Sequence, residues 1–153
     1  MGFLNRFLRI LMESFNGSFK GMRCMGQSDN KAVARGFVQT IFNEGKTDEV
    51  KNFVTPDIIY HGLDEVKGVE NFKQWVAEDR EAIPDLNITI VDTFGEQDKL
   101  AMRWTLKGTF AKELRGSQPS HEKFETQGVE IFHFQDGKIK EAWTIFGSMD
   151  SFK

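Results

Sequence analysis

Three histidines, one cysteine and one arginine set within an apolar strand are the side chains of this 153-residue chain from which chemistry could start. Cys24 stands alone, so it closes no internal disulfide and completes no cysteine metal site. His61, His121 and His133 have no metal-ligand spacing, and neither a zinc nor an iron centre is expected. No Gly-rich phosphate loop, Ser-His-Asp set or nucleotide motif is present, and no cofactor is expected. What remains is proton transfer. An unperturbed imidazole titrates near roughly pH 6.5, so a histidine could serve as acid or base without drastic tuning.

His61 is the best placed of the three, because it ends a short strand-like run, Asp57–His61. Its competing reading is a strand-end histidine that is hydrogen-bonded for structure. His133 lies beside the Asp136-Gly137 turn; across a regular hairpin its neighbour is near Ile139, about 26 Å of strand away from Gly147. That makes His133 a rim or surface residue. His121 falls in the polar loop 116–122 and is expected in solvent.

The elements that must position these groups are readable from periodicity. Ser28 can cap a helix to about Asn43 with Val33, Ala34, Phe37, Val38, Ile41 and Phe42 along one side, closed by Gly45 in a left-handed stop. Thr47 opens a short second helix through Phe53, and Pro56 ends it. A third helix, Gly68–Ile83, buries a stripe of Val69, Phe72, Trp75, Val76 and Ile83. Beyond Pro84-Asp85 the period changes to two, giving four strands with hairpin turns at Gly95–Asp98 and Asp136-Gly137. The class is α+β, helices on one face of an antiparallel sheet.

Alternation puts Trp143, Ile145 and Gly147 on one face of the last strand, and a three-residue turn would add Gln127 and Val129. With Trp75 these make an apolar wall carrying one amide, suited to a planar or polycyclic carbonyl compound. The opposite face, Phe132, Phe134, Ala142, Thr144 and Phe146, is apolar enough to suggest a sheet-to-sheet homodimer.

Composition narrows the partners. The formal net charge is −3, and it is uneven. Residues 1–27 carry Arg6, Arg9, Lys20 and Arg23 against Glu13, which leaves the remainder acidic. An acidic body disfavours nucleic acid, whose affinity comes from phosphate neutralisation. No run approaches the roughly 18 consecutive apolar residues of a membrane span. Residues 1–27 read as an amphipathic extension ahead of a domain over 28–153, with Phe3, Leu4, Phe7, Leu8, Leu11, Met12 and Phe15 at helical spacing. A helix docked on the body or on a second copy, an organelle transit peptide and a membrane-surface helix all fit that pattern. The sequence leaves two locations open, cytoplasmic, or organellar if the extension is a transit peptide. The 15 phenylalanines fit either a Phe-rich core or the lining of a ligand cavity.

Several motifs in order carry a family resemblance: Asp57-Ile58-Ile59-Tyr60-His61-Gly62, Gly68-Val69-Glu70, Pro84-Asp85-Leu86, Met102-Arg103-Trp104-Thr105, Gly108-Thr109, and Asp136 through Trp143. Over about Asn30–Gly147 the chain resembles the SnoaL-like polyketide cyclases of the ketosteroid isomerase-like superfamily. That resemblance implies a cone of curved sheet around three helices, an enclosed pocket, a dimer, and no cofactor. It also implies a pocket-facing His61, with Tyr60 beside it as a ligand contact. Family cyclases carry an acid/base Asp four residues after the last-strand Trp, and here that position is Gly147. Asp150 is a possible substitute. Arg103 matches the arginine of the limonene epoxide hydrolase branch, but Thr105 and Ile145 stand where its two aspartates belong. The expected protein binds a small hydrophobic carbonyl-bearing metabolite, and cyclises or isomerises it with His61 as acid/base and Arg103 or Gln127 polarising an oxygen. The alternative is a non-catalytic binding or assembly module directed by its N-terminal helix.

Overall fold

A helix with apolar residues three and four apart must lay one side on something, and Gln27–Phe37 (α1) lays Ala34 and Phe37 on the sheet. The computed structural model describes residues 27–147. The amphipathic segment Gly2–Phe19 and Asp150 lie outside the described residues, together with the expectations placed on them. α1 runs on as a π-helical turn, Val38–Asn43, which buries Val38, Ile41 and Phe42. Gly45 follows at φ +70°, a left-handed stop. The carbonyls at the end of that turn would be orphaned, and Arg80 meets them: its guanidinium donates to Phe42 O at 2.7 Å and Asn43 O at 3.0 Å, and also reaches Leu86 O, ahead of the third strand, at 3.2 Å. A 3-10 turn spans Thr47–Asn52. The third helical element, α2, is Val69–Ala82, with Phe72 and Val76 fully buried.

The sheet has six strands: β1 Val54–His61, β2 Glu65–Lys67, β3 Asn87–Glu96, β4 Lys99–Thr109, β5 Lys123–Gln135 and β6 Lys138–Phe146. Their order is β2-β1-β6-β5-β4-β3. It is curved and open, α+β as expected, with helices on the concave side. Two features go beyond the sequence reading. β1 pairs with β6 in parallel, whereas the other four pairings are antiparallel. β2 is an additional strand, three residues held against β1. Asp136 and Gly137 both have positive φ, 51° and 77°, the tight turn expected between β5 and β6.

The core lies between the helices and the concave face. Phe37 packs its ring against Phe42, Phe53, Phe72 and Phe132, with centroids 5.5–6.3 Å apart. Much of the phenylalanine content is thereby accounted for as core. Phe132, Phe134 and Ala142 are buried in it, so the face expected to meet a second copy is instead covered by the chain's own helices. The grouping of Gln127 and Val129 with Trp143 and Ile145 holds in register, since Val129 pairs with Ile145 and Ile131 with Trp143. That group, however, is on the convex side, where Ile145 is 57% exposed.

Candidate active site

Where β1, β5 and β6 run side by side, Tyr60, Glu130 and Thr144 project from the concave face toward one another. Thr144 Oγ1 donates to Glu130 Oε2 at 2.6 Å, and the Tyr60 hydroxyl lies against both, 3.3 Å from the same carboxyl oxygen and in a short hydrogen bond to Thr144. Such a chain polarises each member toward the carboxyl. Glu130 is only 6% exposed, and its other oxygen, Oε1, is buried with no hydrogen-bond partner in the protein. Burial pushes its carboxyl up to about 7, against the opposing pull of the Thr144 and Tyr60 contacts. Burial, with Glu130 beside it, pushes the Tyr60 phenol well above its ordinary value, so Tyr60 stays a neutral donor.

These groups border a cavity of about 60 Å³, walled by Phe37, Val38, Phe42, Met102, Trp104, Phe132 and Phe146 among others. Trp104 reaches into it by lying over Gly128, where an added Cβ would stand 2.4 Å from the indole. α2 contributes Trp75 and Asp79. The Trp75 ring sits 5.1 Å from Tyr60, and its Nε1 is buried without a partner in the protein. Asp79 is lifted to about 6 by burial, partly offset by Arg115 at 2.7 Å. Two residues that line the cavity, Trp75 and Glu130, thus each hold a buried polar atom with no partner in the protein, an N–H donor and a carboxyl oxygen. Each unsatisfied group costs about 1–3 kcal/mol that a matching ligand would recover.

The residues singled out from sequence separate into two groups. Tyr60 and Trp75 line the cavity. His61 points to the convex side, with Nε2 on Glu141 at 2.8 Å and Nδ1 on Glu65 at 3.2 Å, stacked on Trp143 at 5.3 Å. Arg103 is exposed and grips Asp92 through two contacts of 2.6 and 3.2 Å. Gln127, Val129, Trp143 and Ile145 share that outer surface and do not border the cavity. Gly147 is a backbone partner, its N–H on Gln127 O at 2.7 Å. The reason is parity: residues on β5 and β6 alternate sides, and the helices cover the side of Phe132 rather than that of Trp143. His133 pairs with Asp98 near the surface, and His121 is exposed.

Sequence reasoning missed Glu130, Thr144 and Asp79. A signal existed for the first. Glu130 is in phase with Thr126, Gly128 and Phe132 rather than with the charged positions Lys123 and Glu125. Among the described residues no group of three or more His, Cys, Asp or Glu is arranged to hold a metal ion.

An apolar cavity enclosed by a curved sheet and three helical segments defines a class of small-molecule pocket protein. The sequence model of the SnoaL-like polyketide cyclases matches residues 32–153, and the chain belongs to that family. Aklanonic acid methyl ester cyclase AcmA of Streptomyces galilaeus is 28% identical over 116 residues, covering 73% of this chain and 80% of AcmA. TsrD of Streptomyces laurentii superposes with a TM-score of 0.72 at 21% identity, over 79% of this chain and 90% of TsrD. AclR of Streptomyces galilaeus, described as a proposed hydroxylase, gives 0.70 at 25% identity over 83% and 94%. One fold serving a cyclase and a proposed hydroxylase does not name a reaction; the site must.

Proposed function

We propose that the chain binds a small hydrophobic carbonyl-bearing metabolite in this cavity and moves a proton on it, with Glu130 as acid/base, in a cofactor-independent ring closure or isomerisation. The observation that carries this reading is the free Oε1 of a carboxyl lifted to about 7 inside an apolar enclosure. A group poised near neutrality is suited both to take and to return a proton. Gly147 stands where the family resemblance expects an aspartate, and Glu130 supplies a carboxyl from the adjacent strand instead.

In this reading ionised Glu130 takes a proton from the carbon next to a carbonyl, and the C–H electron pair moves onto the carbonyl oxygen. Trp75 Nε1 is the free donor for the resulting enolate oxygen. Attack of the enolate carbon on a second carbonyl of the same molecule closes the ring. The new alkoxide recovers the proton from Oε1, and the carboxylate is restored. Reprotonation at another carbon would isomerise instead.

The test is exchange. An aromatic β-keto ester, beginning with aklanonic acid methyl ester as named for AcmA, is incubated in D2O and followed by mass spectrometry. Exchange at the carbon next to the carbonyl, retained within threefold in His61→Ala and Arg103→Ala, is expected. Loss in His61→Ala with retention in Glu130→Gln would return the role to His61. Binding without exchange would make the protein a carrier, the non-catalytic alternative.

The homodimer is retained as part of this proposal with its interface moved to the convex side, where Phe94 (65% exposed) and Ile145 flank the half-buried Trp143. An apolar surface of that kind favours a like surface. A contact of residues 1–27 with a membrane surface or partner likewise belongs to the proposal and rests on the sequence alone.

A further inference from the structure

A cavity of about 60 Å³ is well below the roughly 150 Å³ of an apolar cavity that takes up benzene, so a bicyclic ligand needs more room than it offers as it stands. Trp75 is also a wall of a second space. A cleft of about 260 Å³ lies between β2 and α2, bounded by Glu65, Lys67, Asn71, Gln74, Glu78 and the indole itself. Trp75 thus lines both a largely apolar inner chamber and an outer cleft with amide and charged walls. Its Nε1 is tied to nothing in the protein.

What holds the indole in place comes from a segment distant in sequence, forty residues along the chain. The connection 110–122 docks on the end of α2 through Ala111 and Lys112 N–H groups, both on Ala82 O. Its tip is a tight turn with Arg115 at φ +47° and Gly116 at φ +83°, closed by Leu114 and Ser117. A non-glycine residue in that region is strained and persists where its surroundings hold it. Arg115 is held by Asp79 at 2.7 Å, Asp64 at 3.4 Å and Glu78 at 3.9 Å, and by the Trp75 carbonyl at 3.2 Å. Its guanidinium carbon stands 4.9 Å from the Trp75 ring centroid, a cation–π contact.

We propose that Trp75 is a partition, latched by Arg115, between the inner chamber and an outer subsite in the β2–α2 cleft, and that the ligand enters through this cleft and leaves an uncharged, hydrogen-bonding tail in it. The inference rests on the chamber being the binding site. The cleft is lined by Glu65 and Glu78, and the cations near them are already engaged: Lys67 pairs with Glu65 at 2.7 Å, and Arg115, 3.9 Å from Glu78, is held by Asp79 at 2.7 Å. An anionic tail therefore meets no lining cation free of a carboxylate, whereas hydroxyl, ester or amide groups meet the side-chain amides of Asn71 and Gln74.

Two fluorescent probes test it: 2-(2-naphthyloxy)ethanol, with a neutral tail, and (2-naphthyloxy)acetate, with an anionic one. Stopped-flow uptake of the neutral probe by the full chain is expected to saturate with concentration, because the partition must open first. Arg115→Gln should raise that plateau at least tenfold and tighten Kd at least threefold, because the latch stabilises only the closed state, and the neutral probe should bind at least fivefold tighter than the anion. Arg115→Lys, which keeps the charge, is the folding control and should fall between. Gln74→Ala should weaken the neutral probe threefold or more. A rate that rises linearly and is identical in Arg115→Gln, or no uptake at all, overturns the partition; equal affinity for the two probes overturns the neutral-tail subsite. If deuterium exchange by Glu130 survives while Arg115→Gln changes nothing, the entrance fails and the proton-transfer reading stands. If Arg115→Gln speeds uptake and no substrate exchanges, the reverse holds.

Discussion

Glu130→Gln is expected to lower the rate of proton exchange by about 10²–10⁴-fold and, at the same time, to make the protein more stable at pH 8. The first effect follows from removing a cavity-lining carboxyl whose Oε1 is buried without a partner in the protein. The second follows from linkage. Burial lifts the Glu130 carboxyl to about 7, above the roughly 4.3 of an unfolded glutamate. A carboxyl raised in this way favours the fold while it is protonated. That contribution is full below about pH 4 and is lost as the pH rises through about 7. At about 1.4 kcal/mol per unit, the ionised side chain weakens the fold by up to about 4 kcal/mol at pH 8. Glutamine cannot ionise, so the variant's advantage in urea unfolding should be small at pH 5 and grow to about 1–3 kcal/mol at pH 8. A variant that is inactive and also less stable at pH 8 would mean that the charge serves the fold and not the reaction.

Phe37→Ala is expected to cost about 3–5 kcal/mol. Phe37 is 1% exposed, and its ring touches four other phenylalanines from α1's own π-helical turn, the 3-10 segment's end, α2 and β5. No neighbour can close the gap without leaving its own contacts, so the lost packing is retained as void. Because Phe37 also walls the chamber, the void opens into it. The urea midpoint should fall while the chamber admits larger ligands. A loss below about 1 kcal/mol would show that the phenylalanine cluster relaxes freely and that the chamber's small size is not imposed by packing.

Element type was readable along most of the chain because each signal had one physical solution. The apolar spacing from Val33 to Phe42 suits a helix and nothing else, and Gly45 at φ +70° ends it. Asp136-Gly137 could form only a tight turn. β2 escaped notice because Glu65 and Lys67 flank a single buried valine, and three residues carry no period. The parallel pairing of β1 with β6 joins segments far apart in sequence and leaves no local trace. The site was mirrored for a related reason. Both faces of the last hairpin are apolar, so alternation groups Trp143 with Val129 correctly but does not say which side the helices cover. The register shift between His133 and Phe134 also breaks the count from the turn. His61 attracted attention as an imidazole, yet two carboxylates and an indole occupy it on the outer side. Glu130 was passed over because it stands between Val129 and Ile131, although its phase with Thr126, Gly128 and Phe132 puts it on the inward face.

The most direct test of Glu130 as a poised acid/base needs no substrate. Carbon-13 labelling of the glutamate side-chain carboxyls, with Glu130→Gln to assign the signal, reports its protonation as the pH is raised. A midpoint near 7 is expected, moving higher in Thr144→Val, because the Thr144 hydrogen bond holds the carboxyl down. A midpoint below 5 would contradict the central claim: Glu130 would then be an ordinary carboxylate throughout the neutral range, with no proton to return to a ligand.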